Sequence, residues 1–213
     1  MDTVNIFRAD SDRVAYILMP MPQSHAWLAE QAVKHNVNIA TIGGMDWDND
    51  LTPWPAPGEP PGDPDFQGLA PQFLKHLTGA LLPVVEAELG VTDPERTLVG
   101  ISLSGLFAVW AWMQGDEFLN IASISGSFWY DGFVSWLQRQ PCPKKSGRLY
   151  LSLGVEEPHS PVKAFRPVGA ATQAVEDYFR QNGITTLYQQ NPGNHFAPLE
   201  PRLRRALAYL FPS

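Results

Sequence analysis

Apolar residues fall into short aliphatic runs separated by longer segments with helical spacing. Six runs read as strands: Val14–Met19, Val37–Ile42, Thr97–Ile101, Leu119–Ile124, Arg148–Leu153 and Ile184–Gln189. A weaker run, Val4–Phe7, predicts an edge strand. Between them, His25–His35, Leu69–Leu89, Leu103–Met113 and Ala170–Asn182 carry helical periodicity, the last followed by Gly183 in the place of a C-cap. In the final segment Leu199, Leu203, Leu207 and Leu210 form one apolar stripe suited to docking on a sheet. Alternating strands and helices predict an α/β fold: a mostly parallel sheet of six or seven strands with helices on both faces. The stretch 43–68 breaks the rhythm with Pro53, Pro55, Pro57, Pro60, Pro61 and Pro64 beside Trp47 and Trp54. It predicts a long irregular loop, and loops of that length in compact domains usually serve function.

The strand Thr97–Ile101 runs through Gly100-Ile101-Ser102-Leu103-Ser104-Gly105 into a segment apolar on all sides, which predicts a buried helix. A serine on such a strand-to-helix turn is lifted above the carboxyl edge of the sheet, with the amides that follow it pointing into the same space. The turn admits only small residues two before and two after the serine. Gly100 obeys, while Ser104 departs from the usual glycine and is followed at once by Gly105. Ser102 is the candidate nucleophile; a plain helix N-cap is the simpler role that the same serine would fit.

A serine hydroxyl needs a base to take its proton. Of five histidines, His195 in Asn191–Phe196 follows the last predicted strand and precedes the final helix, on the sheet edge where Ser102 emerges. His25, His35 and His76 fall in helical segments and His159 in a polar loop, where solvation or packing accounts for them. An acid that orients the base belongs between serine and histidine in chain order, after a strand. Leu151–Pro158 supplies Glu156 and Glu157, and the residues alone leave both open.

The chain has 213 residues, which fits one domain, 1–213. Its formal charge of −7 and lack of a Lys/Arg cluster argue against nucleic acid as a partner. Membrane and export are likewise not expected: no stretch approaches 18 apolar residues in a row, and Met1–Arg13 carries three Asp and two Arg. Cys142 is the only cysteine, which excludes an intrachain disulfide and fits a reducing, cytoplasmic compartment. Flanked by Pro141 and Pro143, it reads as a passive thiol. Trp47, Trp54, Phe128 and Trp129 are candidates to border a pocket for an apolar or aromatic ester. Asp46, Asp48 and Asp50 would disfavour anionic substrates if they face it.

Four blocks, Gly100–Phe107, Ser123–Tyr130, Leu151–Glu157 and Gly193–Phe196, occur in the order found in the esterase family of α/β hydrolases, which includes esterase D (S-formylglutathione hydrolase) and the enterochelin esterases. The chain resembles that family from about Val14 to Phe211, most closely its short bacterial members without a large lid domain, whose Trp…Leu-Ser-Pro-Trp loop is matched by Trp47…Leu51-Thr-Pro-Trp54. The resemblance implies Glu157 as the acid, three residues after Gly154, and an oxyanion hole from the backbone amides of Leu103 and Met21. The family's usual His-Gly is replaced by Met19-Pro20, and Pro20 and Pro22 have no amide to offer. The implied activity is hydrolysis of a small-molecule carboxylic ester by a Ser-His-Glu triad through an acyl-enzyme, without metal or organic cofactor. The alternatives are a non-catalytic binding protein on the same scaffold, or an acyltransferase, thioesterase or peptidase using the same triad. Monomer and homodimer are equally compatible with the sequence.

Overall fold

The computed structural model describes residues 2–21, 26–143 and 146–212. In chain order the elements are β1 (Thr3–Phe7), β2 (Arg13–Leu18), α1 (Ala26–His35), β3 (Asn38–Gly43), α2 (Ala70–His76), α3 (Leu82–Leu89), β4 (Glu95–Ile101), α4 (Leu103–Trp112), β5 (Asn120–Ile124), α5 (Phe133–Arg139), β6 (Arg148–Gly154), α6 (Val168–Gln181), β7 (Thr185–Asn191) and α7 (Leu199–Leu210). The strands form one seven-stranded sheet in the order β1-β3-β2-β4-β5-β6-β7. Only β1, on the edge beside β3, runs antiparallel; every other pairing is parallel.

Strand periodicity sorts the core into two layers. Val14, Tyr16 and Leu18 of β2 face one apolar cluster, with α4 and residues of α2, α3, α5 and α6; Ala15 and Ile17 face the other, with α1 and α7. Every residue of α4 is buried, as expected of a helix apolar on all sides and covered by its neighbours. The stripe Leu203, Ala206, Leu207 and Leu210 docks α7 on the opposite face. The chain moves from β2 to β3 on one side and from β4 to β5 on the other, so the crevice beyond the carboxyl ends of β2 and β4 is where the winding reverses. In open parallel sheets that crevice is where ligands bind.

Two local features depart from the sequence reading. The helical segment expected over 69–89 is α2 and α3 joined by a π-helical turn, Leu77–Leu81, in which the Leu82 amide reaches back to the Leu77 carbonyl. Pro83, in the first turn of α3, has no amide to continue the regular ladder at this point. Helix α5 was not anticipated: it is short and opens on Gly132 at φ 72° without a side-chain cap. The 43–68 loop is irregular as expected, yet Leu51 and Thr52 are fully buried in it and a bridge between Ala56 and Phe66 closes it.

The stripe Leu28, Gln31, Ala32 and His35 buries α1. His35 Nδ1 donates to the Phe211 carbonyl at 3.1 Å, and Nε2 is buried with no partner among the described residues. Burial, then the charges of Lys34 and Arg13, hold the imidazole below its ordinary value of 6.5, against the opposing pull of the Phe211 carbonyl. The unfolded chain therefore takes up the proton first on acidification. The stability supplied by neutral His35 should be complete above about pH 6.5 and lost as pH falls through the lower folded value. Chemical denaturation between about pH 7 and pH 5 should show that fall, and His35→Gln should flatten it.

Candidate active site

Ser102 stands between β4 and α4 with φ 59° and ψ −122°, a backbone conformation that non-glycine residues rarely adopt. Close packing enforces it. A Cβ on Gly100 would lie 1.9 Å from the Ser104 carbonyl oxygen, and one on Gly105 would lie 2.7 Å from Ser123 Oγ and 3.0 Å from Gly126 Cα. The carbonyl of Ser102 accepts from the amides of Gly105, Leu106 and Ser127 at 3.0, 3.1 and 3.0 Å. Leu103 opens the helix, and its amide has no acceptor among the described residues, which leaves it free to meet an oxyanion.

The serine at 104 is accommodated without disturbing this turn. It is fully buried, and its Oγ accepts from the Ile101 amide at 2.7 Å and lies within donating distance of the Leu18 and Ile101 carbonyls at 3.0 and 2.8 Å. It ties the end of β4 to the end of β2, a bond that glycine could not make.

His195 lies between β7 and α7, after a turn at Gly193 with φ 86°. Its Nε2 is 3.1 Å from Ser102 Oγ and its Nδ1 is 2.8 Å from Glu157 Oε2. A neutral imidazole that donates from Nδ1 to the carboxylate presents its Nε2 lone pair to the hydroxyl. Glu157 opens a single 3₁₀ turn just beyond β6 and is buried, its side chain only 4% exposed. Its Oε1 accepts from the Gly154 amide at 2.7 Å and from Ser125 Oγ at 2.6 Å. Burial pushes this carboxyl up, but the bonds from His195, Ser125 and Gly154 outweigh it, and the group is held below the ordinary carboxylate range. It is ionised at neutral pH, and its ionised bonds are lost only as pH falls through that depressed value. Glu156 is exposed and makes none of these bonds.

A cavity of about 720 Å³ opens over Ser102 and His195. Trp47, Phe66, Trp129, Phe165 and Phe196 wall it, and Asp48, Glu59, Glu156 and Glu157 supply its carboxylates; neither Lys nor Arg borders it among the described residues. Trp47 and Trp129 thus lie where the sequence suggested, whereas Trp54 and Phe128 do not border the cavity. Trp54 donates from Nε1 to the Asp131 carbonyl at 3.0 Å and packs against Tyr130, Phe133 and Trp136. Phe128 is 1% exposed and stacks on Phe133. Both belong to an aromatic layer beside the cavity, because β5 leads straight into that layer and its rings shelter one another from water. Of Asp46, Asp48 and Asp50 only Asp48 reaches the cavity; the Asp50 carboxylate is turned back to the Asp46 amide and that of Asp46 to Asn49.

Met21 lies just past β2 with its side chain 70% exposed, outside the cavity lining, and its amide has no acceptor among the described residues. His76 pairs with Asp2 on the surface, and His159 borders the cavity near its rim. His25 lies outside the described residues. Three side chains escaped the sequence reading: Ser125, which donates to Glu157 Oε1, Ser127 and Arg202. Ser127 Oγ, fully enclosed, lies 3.3 Å from Ser102 Oγ. Arg202, 3% exposed, donates to Ser125 Oγ at 2.6 Å. The available signal for Arg202 was a charged residue within the apolar stripe of α7, one turn after Leu199.

The sequence matches the family model described as "Putative esterase" over residues 19–210. The chain belongs to this esterase family. Among solved structures, the fold of this chain matches an IroE-like serine hydrolase from Shewanella oneidensis with TM-score 0.82 at 18% identity, covering 98% of this chain and 75% of the other. BES protein from Bacillus cereus matches with TM-score 0.77 at 19% identity, over 100% of this chain and 91% of that one. The enterobactin and salmochelin hydrolase IroE matches with TM-score 0.74 at 18% identity, over 100% and 95%. In sequence the chain is 29% identical over 140 residues to the uncharacterized protein YbbA of Bacillus subtilis (strain 168), covering 64% of this chain and 56% of that protein's length.

Replacing Ser104 with Ala removes the acceptor of the partly buried Ile101 amide. The expected cost is about 1–3 kcal/mol of unfolding free energy, measured by chemical denaturation.

Proposed function

We propose that the protein is a serine esterase that cleaves carboxylic esters through an acyl-enzyme, with Ser102 as nucleophile, His195 as general base and then general acid, and Glu157 as the acid that orients the imidazole. The observation that carries this reading is the unbroken line of hydrogen bonds from Ser102 Oγ to His195 Nε2, 3.1 Å, and from His195 Nδ1 to Glu157 Oε2, 2.8 Å. Ser102 Oγ attacks the ester carbonyl while its proton passes to Nε2, and the ionised Glu157 stabilises the imidazolium that forms. The oxyanion settles on the Leu103 amide, with the Met21 amide as the second donor. His195 returns the proton to the departing alkoxide, leaving Ser102 acylated. Water then repeats the sequence: His195 takes its proton, hydroxide adds to the acyl carbon, and the proton goes back to Ser102 as the carboxylic acid leaves.

The cavity sets the substrate class. Aromatic walls and carboxylates, with no Lys or Arg among the described lining residues, favour a neutral ester with an apolar or aromatic group over an anionic one. The IroE neighbour is named for enterobactin and salmochelin; at 18% identity it supports the fold of this chain and leaves its substrate to the cavity's own chemistry.

Ser102→Ala should lower kcat on p-nitrophenyl esters by roughly 10⁴-fold or more with an unchanged unfolding midpoint, and should abolish labelling by a fluorophosphonate. Full turnover in this variant would remove Ser102 from the mechanism. Glu157→Gln should lower kcat by about 10³–10⁴-fold, since the amide no longer holds the required tautomer. Between matched esters differing by one remote carboxylate, kcat/KM should be at least about fivefold lower for the anion, the equivalent of ~1 kcal/mol of repulsion.

A further inference from the structure

We propose that Arg202 is a positioning residue for the His195–Glu157 pair, holding the carboxylate and the histidine loop in one register from the opposite layer of the fold. The proposal rests on the acyl-transfer reading above. The Arg202 guanidinium is 3% exposed, and its bonds go to the elements that carry the site. Nη1 donates to Ser125 Oγ at 2.6 Å and approaches Glu157 Oε1 at 3.4 Å, while Nη2 donates to the Asn194 carbonyl at 2.8 Å, one residue before His195. Ser125 passes the interaction on by donating its own proton to Glu157 Oε1 at 2.6 Å. The chain Arg202 to Ser125 to Glu157 to His195 to Ser102 is continuous.

Docking of α7 does not call for this arginine. Leu203, Ala206, Leu207 and Leu210 already bury the helix, and burying a guanidinium is costly unless its partners are well placed. The neighbouring backbone is shaped around it. A Cβ on Gly154 would lie 3.0 Å from both Arg202 Nη2 and Glu157 Oε1, and 2.3 Å from the Gly193 carbonyl, so only glycine at the end of β6 admits this convergence.

The ionisable groups around the carboxylate are His195 from the loop before α7, Arg202 from α7 and Tyr188 from β7, which feels the charges of both Glu157 and Glu176 of α6. Its own turn carries Glu156 and His159. Removing the Arg202 cation favours proton uptake by either member of the pair, and a proton on either one ends base catalysis. The acid limb of the activity profile therefore moves to higher pH.

The test is kinetics together with NMR titration of the His195 ring protons. Arg202→Met should lower kcat by roughly 10²-fold, the loss expected of a displacement of about 1 Å, while KM stays within about twofold. The acid limb and the His195 titration should both move up by about one pH unit. Arg202→Lys, which keeps the cation, should recover much of both. On a Glu157→Gln background, Arg202→Met should cost no more than about a further tenfold, because the action through the carboxylate is already gone and only the bond to the Asn194 carbonyl remains to be lost. If Arg202→Met does not fold, the lysine variant and the double variant, which leaves no unpaired buried charge, carry the same comparison. Wild-type kcat with an unmoved titration in Arg202→Met would overturn the proposal, as would a loss that multiplies in full on Glu157→Gln. Should wild type hydrolyse no ester while the His195 titration still moves in Arg202→Met, the acyl-transfer reading falls and the positioning role stands.

Discussion

The backbone of Ser102 sits in a region that costs a non-glycine residue roughly 1–3 kcal/mol, and much of the molecule is arranged to hold it there. Gly100 and Gly105 let strand and helix approach more closely than side chains would permit. The amides of Gly105, Leu106 and Ser127 seize the Ser102 carbonyl, and the Ser102 amide donates to Ile124 at 3.0 Å. Beneath the turn, α4 is buried along its whole length, so it cannot shift to relax the strain without opening the core. The reward of this arrangement is geometric: the hydroxyl is pushed clear of the sheet, and the first amide of the helix is turned toward the same space.

The parallel sheet does the gathering. Strands β2, β4, β5, β6 and β7 end at one edge, and each is followed by a residue proposed for the site: Met21, Ser102, Ser125, Glu157 and His195. These positions are spread over most of the chain, yet neighbouring parallel strands bring their carboxyl ends within a few side-chain lengths of one another. Each strand end contributes a different chemical type, and the sheet's register sets their spacing.

Electrostatics within this edge is balanced by directed bonds. Glu157 is buried deeply enough that burial alone would favour its neutral form, but an amide, a hydroxyl and the imidazole each donate to it, and the guanidinium lies behind them. A carboxylate held in this way stays ionised through the neutral range and cannot rotate away from the histidine. The aromatic layer formed by Trp54, Phe128, Tyr130 and Phe133 backs the cavity without entering it.

How much of this was legible beforehand follows from the range of each interaction. Periodicity located all seven strands: burial on both faces imposes near-continuous apolar runs on β2 to β6, while the edge strands β1 and β7 keep a weaker β-rich pattern. The glycine-flanked serine marked its own turn, since the clashes that select glycine are local. His195 was found from chain order and its place after the last strand. The π-helical turn before Pro83 and the short helix after Gly132 were not legible, since both turn on details of hydrogen bonding within a single turn. Nor did the residues alone separate Glu156 from Glu157. Those two differ in which way a one-turn 3₁₀ segment points, and only the packed strand end decides that. Arg202 and Ser125 lie far apart in sequence, so their convergence on Glu157 at the sheet edge is a property of tertiary structure. The local pattern determined the elements and the nucleophile turn; the closure of β5, β6, β7 and α7 around a shared carboxylate decided which charged groups meet there, because hydrogen bonds need ångström-scale placement that no local pattern encodes.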